Sequence, residues 1–406
     1  MGDGSVKFVE QNLLNTDLTL NLSQNLSWTG GSFFLETSAQ RMDLFSEHKY
    51  SWQTSPIMIG YRQSLFGYNS LKWDRRIEPV RYQEAKKSYV ETLELVSANA
   101  INKFFALATA QSNYDIASFN YANADTLYRY AQGRYNIGTI TENEMLQLEL
   151  NRLTEETNRM NARIEMDNCM QELRSYLGIQ EEREIRVRVS SRIPDFSINL
   201  NEALALAYEN SPDIQTMKRR KLESESAVAR ARANAGLKAD IYLRFGLTQT
   251  ADKLPEAYRN LLDQQYVSLS ISLPILDWGR GKGQVRVARS NRDLVYTQVE
   301  QSRTDFELNV RKLVKQFNLQ TQRVRIAART DETAQRRNEV ARKLYILGKS
   351  TILDLNASIS EKDSARRNYV SALYNYWSLY YTLRSMTLYD FESNKLLTED
   401  YNLLIE

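Results

Sequence analysis

The sequence predicts a mainly helical protein with a smaller β portion, built from two copies of one unit. Two stretches repeat apolar or small residues every 3.5 positions, for longer than a globular core can cover. Several shorter stretches alternate apolar with small polar residues, the pattern of strands with one greasy and one wet face. The two halves keep one register at an offset of 210. Tyr135 falls on Tyr345, Gly138 on Gly348, Thr141 on Thr351, Glu144 on Asp354 and Leu173 on Leu383. A constant offset over more than a hundred residues is the mark of a duplication.

The stretch from Ser268 to Gly283 is the centre of this reading. Val267, Leu269, Ile271, Leu273 and Ile275 alternate with Ser268, Ser270, Ser272 and Pro274. The chain then turns at Asp277-Trp278-Gly279 and becomes basic and helix-forming. Pro274, Asp277 and Gly279 therefore mark a strand-to-helix elbow. Its weaker copy runs from Ile57 to Lys72. A two-faced strand joined directly to a very long helix suits a chain that leaves a membrane barrel and continues as a rod.

Taken in order, residues 16–28 form the cleanest strand, with Leu18, Leu20, Leu22, Leu26 and Trp28 on one face. Gly30-Gly31 signals a hairpin. Alternation resumes at Phe33 and runs toward Leu44. Residues 46–54 are polar, contain His48 and read as a loop. Ile57, Ile59 and Tyr61 resume a strand that ends near Phe66. Trp28, Trp52, Trp73 and Trp278 lie in or beside strand segments, as membrane-interface girdles do.

A helix over about 75–137 follows, with a seam of Ala and Tyr through Ala85, Tyr89, Thr92, Val96, Leu107, Ala110, Ala117, Ala124 and Ala131. Some 60 residues of helix span roughly 90 Å, so this rod must pack on other rods. Gly138 stops it. Thr141 and Glu144 form a capping box that opens a helix over about 141–177, ended by Gly178. Residues 179–199 form a charged inter-repeat segment, strand-like at Ile185, Val187 and Val189.

The second repeat, 200–388, reads as helices over 200–237 broken at Pro212, strands over 239–276, a long helix over about 280–347 and a helix over about 351–386. The second long seam runs through Val299, Phe306, Val310, Leu313, Phe317, Gln320 and Val324. Residues 389–406 read as a loose tail. The first repeat, 1–178, holds strands over 16–66 and the two helices, but nothing in residues 1–15 resembles the LNEALALAYENSPDI that opens the second. The first repeat is therefore expected to lack its opening helices, through N-terminal truncation or, as the lesser alternative, an unequal duplication.

Composition excludes several classes of function. The 406 residues carry 53 basic and 50 acidic side chains, a net +3, which argues for no nucleic-acid partner. One His and one Cys, His48 and Cys169, leave metal, triad and internal disulfide chemistry without material. Cys169 shares a helix face with Met166 and Leu173 and reads as a packed thiol. Gly279-Arg-Gly-Lys-Gly283 lacks the spacing of a phosphate loop. Acidic pairs such as Glu155-Glu156 read as solvated helix faces. No enzyme activity, cofactor or metal site is expected. No window of 18 apolar residues predicts a transmembrane helix, which leaves open a barrel of short alternating strands.

Four segments carry a family resemblance: LNEALALAYENSPDI at 200–214, SLPILDWGRGK at 272–282 with its partner QSLFGYNSLK at 63–72, YNIGTITENEML at 135–146 and YILGKSTILDLN at 345–356. In order and duplication they resemble the outer-membrane efflux proteins, the TolC-type channel-tunnels. The resemblance implies long antiparallel helical hairpins forming a tunnel, and a transmembrane β-barrel shared by three protomers. It implies a homotrimer in the outer membrane, in contact with its lipid and extending into the periplasm. It further implies a periplasmic adaptor and an inner-membrane transporter of the RND or ABC class, serving passive export of small molecules or proteins. By the same resemblance Tyr135, Gly138, Glu144, Tyr345, Gly348 and Asp354 belong to the periplasmic gate. Ser64 stands where the family pattern prefers proline, and Ser350 and Ala357 replace the family's charged tip positions. The rival reading is a soluble coiled-coil scaffold.

Overall fold

The computed structural model describes residues 12–398 except 182, 192 and 348. The chain divides into two compact units that cut across the sequence repeats. One holds the chain up to Gln83 together with Gln215–Ser302. The other holds Glu84–Ile214 and the chain from Arg303 onward.

The first unit is centred on one antiparallel sheet in the order β1-β2-β3-β4-β5. Its strands are β1 (Leu13–Asn25), β2 (Ser32–Leu44), β3 (Lys49–Ser64), β4 (Lys238–Ala251) and β5 (Leu262–Ser272). The alternation in the sequence becomes two chemically different faces. On one, Leu22 pairs with Leu35, Leu35 with Ile59 and Ile59 with Phe245, while Val267, Leu269 and Ile271 of β5 face Leu243, Ile241 and Ala239. Most of these side chains stand largely in the open, as does Leu18 at 78%, while Ile241 and Leu243 are half-buried and Ala239 is buried. On the opposite face Asn21, Glu36, Arg62 and Arg244 interleave with Phe34, Met58 and Tyr242. There Arg244 pairs with Glu36 at 3.5 Å, and the Arg62 guanidinium lies over the rings of Phe34 and Tyr242. Gly60 is bare because a Cβ would fall 2.0 Å from the Phe34 ring.

Several strand ends differ from those read in the sequence. Residues 49–54 are not loop. Tyr50 and Trp52 stack under the Arg41 guanidinium, and this stretch pairs with Ala39–Leu44. Only 45–48 turn, with exposed His48 in the left-handed region at φ 52°. β1 begins earlier than Thr16 and ends at Asn25, so Leu26 and Trp28 lie in the hairpin turn, where Gly30 donates to the Leu26 carbonyl. β5 stops at Ser272 instead of Ile275, since Pro274 has no N–H to offer a ladder.

The helices repeat at the offset with matching ends. α1 (Ser70–Asn136) and α5 (Arg280–Ile346) have 67 residues each and begin and end 210 positions apart. α2 (Glu142–Tyr176) and α6 (Ile352–Thr387) begin 210 apart. Between them stand α3 (Leu200–Asn210) and α4 (Pro212–Ala235), separated at Ser211. Asn199 caps α3 through its side chain, which accepts from the Asn201 and Glu202 amides.

In the second unit these helices lie side by side in the order α2, α1, α6, α5. Leu107 and Ala110 of α1 pack on Met166 and Leu173 of α2, with Cys169 at the edge of that cluster. Burial, and then the Glu165 carboxylate beside it, push the Cys169 thiol up. Between α1 and α6, Asn120 donates to Asp363, the Tyr374 hydroxyl donates to Asn102, and Arg384 engages Glu94. Between α6 and α5, Gln320 donates to the Ala372 carbonyl and Phe317 packs on Tyr376. Ala117, Ala124 and Ala131 are buried where α1 meets its neighbours.

The first seam departs from its reading before Leu107. Tyr89 and Val96 face outward, while Val90 and Glu94, one and two positions off that register, are buried. Among its described residues, the segment after Gly178 forms no strand. The Val187 amide donates to the Gln111 side chain, and Gln111 in turn donates to the Ile185 carbonyl. Nor is the chain after α6 loose. Tyr389–Asp390 and Lys395–Leu396 pair as β6 and β7, and Leu388 and Phe391 are buried. Residues 399–406 lie outside the described residues.

Candidate functional site

Two places gather the residues singled out in the sequence: the turns that close the helical hairpins, and the elbow between sheet and helix.

At the first hairpin turn, Gly138 adopts φ +71°, which a residue without Cβ tolerates. Its N–H donates to the Tyr135 carbonyl at 2.9 Å, and the Thr139 N–H donates to the Arg134 carbonyl at 2.9 Å. These two bonds close a Schellman motif and satisfy carbonyls that the helix end leaves open. At the second turn the Lys349 N–H reaches the Leu344 carbonyl at 2.9 Å, the same bond 210 residues on. Gly348 itself lies outside the described residues.

The next helices start with matched capping boxes. The Thr141 hydroxyl accepts from the Glu144 N–H and the Glu144 carboxylate accepts from the Thr141 N–H. Thr351 and Asp354 repeat this, and the hydroxyls of Thr351 and Ser350 also donate to Asp354. The Thr351 hydroxyl and amide, in that order, hold the Asp354 carboxyl below the usual aspartate range. Both acids are exposed, so their charge faces solvent while one oxygen of each serves the cap.

The two tyrosines of the turns are not equivalent in their surroundings. Tyr345 is half-buried in a cavity of about 210 Å³ with Tyr130, Leu127 and Leu355. Burial pushes its phenol up, with Arg134 opposing and Glu144 adding to the rise. Tyr135 is exposed. The fold thus brings Tyr345 and Glu144 into one electrostatic neighbourhood, while Asp354 has Arg337 as its cationic neighbour. Among the described residues, no hydrogen bond joins either tyrosine hydroxyl across the turn.

At the elbow, Asp277 is the organising side chain. Its carboxylate accepts from the Gly279 N–H at 2.9 Å and the Gly281 N–H at 2.8 Å, and its carbonyl accepts from Arg280 at 2.9 Å. The Gly281 and then the Gly279 amide hold its carboxyl below the usual range. Trp278 and Gly279 both take the left-handed conformation, at φ 53° and 81°. Pro274 ends the ladder just before. In the first repeat Asn69 does the capping, accepting from the Lys72 N–H at 2.9 Å and donating to the Ser27 carbonyl.

The sequence profile of outer membrane efflux proteins matches residues 203–387. The "Outer membrane protein TolC" of Escherichia coli (strain K12) is 21% identical over 311 residues, covering 74% of this chain and 61% of that protein. The Campylobacter jejuni CmeC outer membrane channel shares the fold at TM-score 0.68 and 14% identity, over 98% of this chain and 80% of that one. Residues 203–387 thus carry the sequence pattern of outer membrane efflux proteins, and the chain shares the fold of outer membrane channels. The open state of the Neisseria gonorrhoeae MtrE outer membrane channel also shares the fold, at TM-score 0.66 and 12% identity, over 95% of this chain and 81% of that one.

The chain spans about three fifths of the length of the curated relative it matches. Among its described residues no helix is long and apolar enough to cross a membrane. Sequence reasoning missed three contributors to its sites. Gly281 reads in the sequence only as part of a glycine-rich elbow, yet a Cβ added there would meet the Asp277 carboxylate at 2.8 Å and Ala235 at 3.0 Å. Arg134 gave no signal beyond being a basic residue in a last turn. Asn69 was hidden because its second-repeat equivalent is Gly279, so the two elbows cap their helices with different residues.

Proposed function

We propose that this protein is the outer-membrane duct of an export system, a passive channel for small molecules or proteins. The observation that carries this reading is the sheet. One face presents an exposed apolar band and the other an arginine- and glutamate-bearing face, which is the arrangement a barrel needs between lipid and a water-filled interior. The soluble scaffold reading offers no reason for that exposed band.

The assembly proposed is a homotrimer. α2 and α5 stand at the two edges of the four-helix layer, and each carries an exposed apolar stripe: Leu146, Leu150, Leu153, Met160 and Ile164 on α2, Leu319, Ile326 and Val340 on α5 with Leu347 just beyond its end. α2 has 8 acidic and 4 basic residues, whereas residues 319–347 have 7 basic and 3 acidic. Stripes at heptad-like spacing with opposite charge suit contact between neighbouring copies. The gate is proposed at the hairpin turns, with Tyr135, Gly138, Glu144, Tyr345, Gly348 and Asp354 at the periplasmic end. A periplasmic adaptor and an inner-membrane RND or ABC transporter would dock there.

Outer-membrane fractionation tests the reading. The native protein should partition with the outer membrane and run as a trimer that heat dissociates. A soluble parallel dimer would contradict it.

A further inference from the structure

The two strand-to-helix elbows share a chemistry that the channel role does not require. Leu65-Phe66 in the first repeat and Ile275-Leu276 in the second stand 210 positions apart, and all four side chains are exposed, Ile275 at 88%. Each apolar pair is followed at the same spacing by an exposed basic pair one helical turn apart, Lys72 with Arg76 and Lys282 with Arg286. Residues at i and i+4 share a helix face, so each basic pair forms a two-cation patch at the start of its helix. Arg76 lies over the Trp73 ring and is 4.0 Å from Glu225, a long and solvent-exposed pairing. Residues 280–292 hold five basic side chains and no acid. Neither α1 nor α5 has an acidic residue in its first turn, although the positive end of a helix dipole favours one. Trp278, 91% exposed, stands beside the second apolar pair, and the elbow continues directly from the apolar strand face at Ile271.

We propose that both elbows grip anionic phospholipid headgroups at the periplasmic surface of the outer membrane. The apolar pairs and Trp278 enter the acyl boundary, and the Lys/Arg pairs meet headgroup phosphates. This continues the lipid contact of the strands into a charged collar and rests on the outer-membrane reading above. Duplication argues for it: two repeats that cap their helices with different residues have nevertheless kept the apolar pair and the basic pair in register. A Lys or Arg near an anionic surface is worth about fivefold in binding, so four per chain give a measurable preference.

The test is thermal unfolding of the detergent-purified protein with added phosphatidylglycerol or phosphatidylcholine. The expected result is stabilisation by phosphatidylglycerol at concentrations at least about tenfold lower than by phosphatidylcholine, consistent with roughly fivefold per cation. Removing the cations in K72Q/R76Q/K282Q/R286Q should abolish that preference, while K72R/K282R keeps it. Raised salt should weaken it. Equal stabilisation by both lipids, or a preference that survives in the quadruple variant, overturns the proposal. Stabilisation by inorganic phosphate alone, to the same extent, means a free anion site and also overturns it. Failure of the outer-membrane reading has a different signature. Tryptophan quenching in vesicles of brominated phosphatidylcholine, compared between the native protein and W278F, separates the two. Absence of the Trp278 contribution alone, or quenching without headgroup preference, sinks only the collar. No quenching of any tryptophan, Trp52 of β3 included, sinks membrane insertion itself.

Discussion

The guanidinium of Arg384 holds both carboxylate oxygens of Glu94, at 3.0 and 2.9 Å, across the face where α6 meets α1. Glu94 is 8% exposed, so this is an ion pair largely removed from water. Removing Arg384 leaves the Glu94 carboxylate without its partner, which costs on the order of 3–5 kcal/mol, whereas removing Glu94 leaves Arg384 the Asp390 carboxylate at 3.6 Å. Arg384→Leu should lower the unfolding midpoint sharply, and Glu94→Leu less. The double variant should lose less than Arg384→Leu alone. Two silent single variants would show that the pair contributes nothing.

Gly281 and Gly283 sit two residues apart in α5 and should respond oppositely to alanine. At 281 the added Cβ meets the Asp277 carboxylate and the Cα of Ala235 at 3.3 Å, so Gly281→Ala should destabilise by about 1–3 kcal/mol. At 283 a Cβ meets nothing within 4 Å, so Gly283→Ala should stabilise by about 0.4–1 kcal/mol. Denaturant titration of the two variants separates them. The same sign for both would mean that α5 does not approach Ala235 closely.

The contrast between Leu20 and Asn21 tests the sheet. Leu20 lies on the apolar face, and Asn21 opposite, where it pairs with Glu36. Arginine at Leu20 should cost roughly 2–4 kcal/mol in a bilayer if the site is near its midplane. Arginine at Asn21 would gain the Glu36 carboxylate as a neighbour. Refolding yields into lipid vesicles measure both, and equal tolerance would rule out a lipid-facing band.

The Asp277 cap carries a pH signature. Two amides hold its carboxyl below the ordinary aspartate value of 3.8. A lowered folded value means that the cap's contribution is present above the ordinary range and lost as pH falls through the folded value. Asn can keep only one oxygen acceptor. The difference in unfolding midpoint between the native protein and Asp277→Asn should therefore be open at neutral pH and close on acidification below 3.8. A gap that stays constant across that range would mean the carboxylate is not the capping group.

Much of this fold was legible because duplication leaves a strict numerical trace. The offset read from Tyr135 and Tyr345 also relates both ends of α1 and α5. The second seam was legible because Phe306, Val310 and Phe317 are large and their burial is decided within one helix layer. The first seam, made of Ala and Tyr, left its buried face open by one or two positions, and Val90 and Glu94 took it. The strand at 49–54 was obscured by its polarity, since its aromatic residues pack on the guanidinium of Arg41 and not in an apolar core. Glu94 and Arg384 lie 290 residues apart, and each alone reads as a solvated charge. At the turns, the sequence located Thr141, Glu144, Thr351 and Asp354. It did not show that Tyr345, and not Tyr135, would be the enclosed phenol, because that depends on how α5 packs beside Tyr130.

Planar-bilayer recording of the native protein tests the central claim most directly. The account predicts stepwise conductance, blocked by a trivalent cation added on the side of the hairpin turns. Three copies of Glu144 and Asp354 brought together would attract that cation, and high salt should weaken the block by screening them. E144Q/D354N should conduct without the block and remain folded, since the Thr141 and Thr351 hydroxyls still cap their helices. Unchanged block in that variant would remove these acids from the constriction. A protein that enters the bilayer and gives no conductance steps would contradict the channel itself.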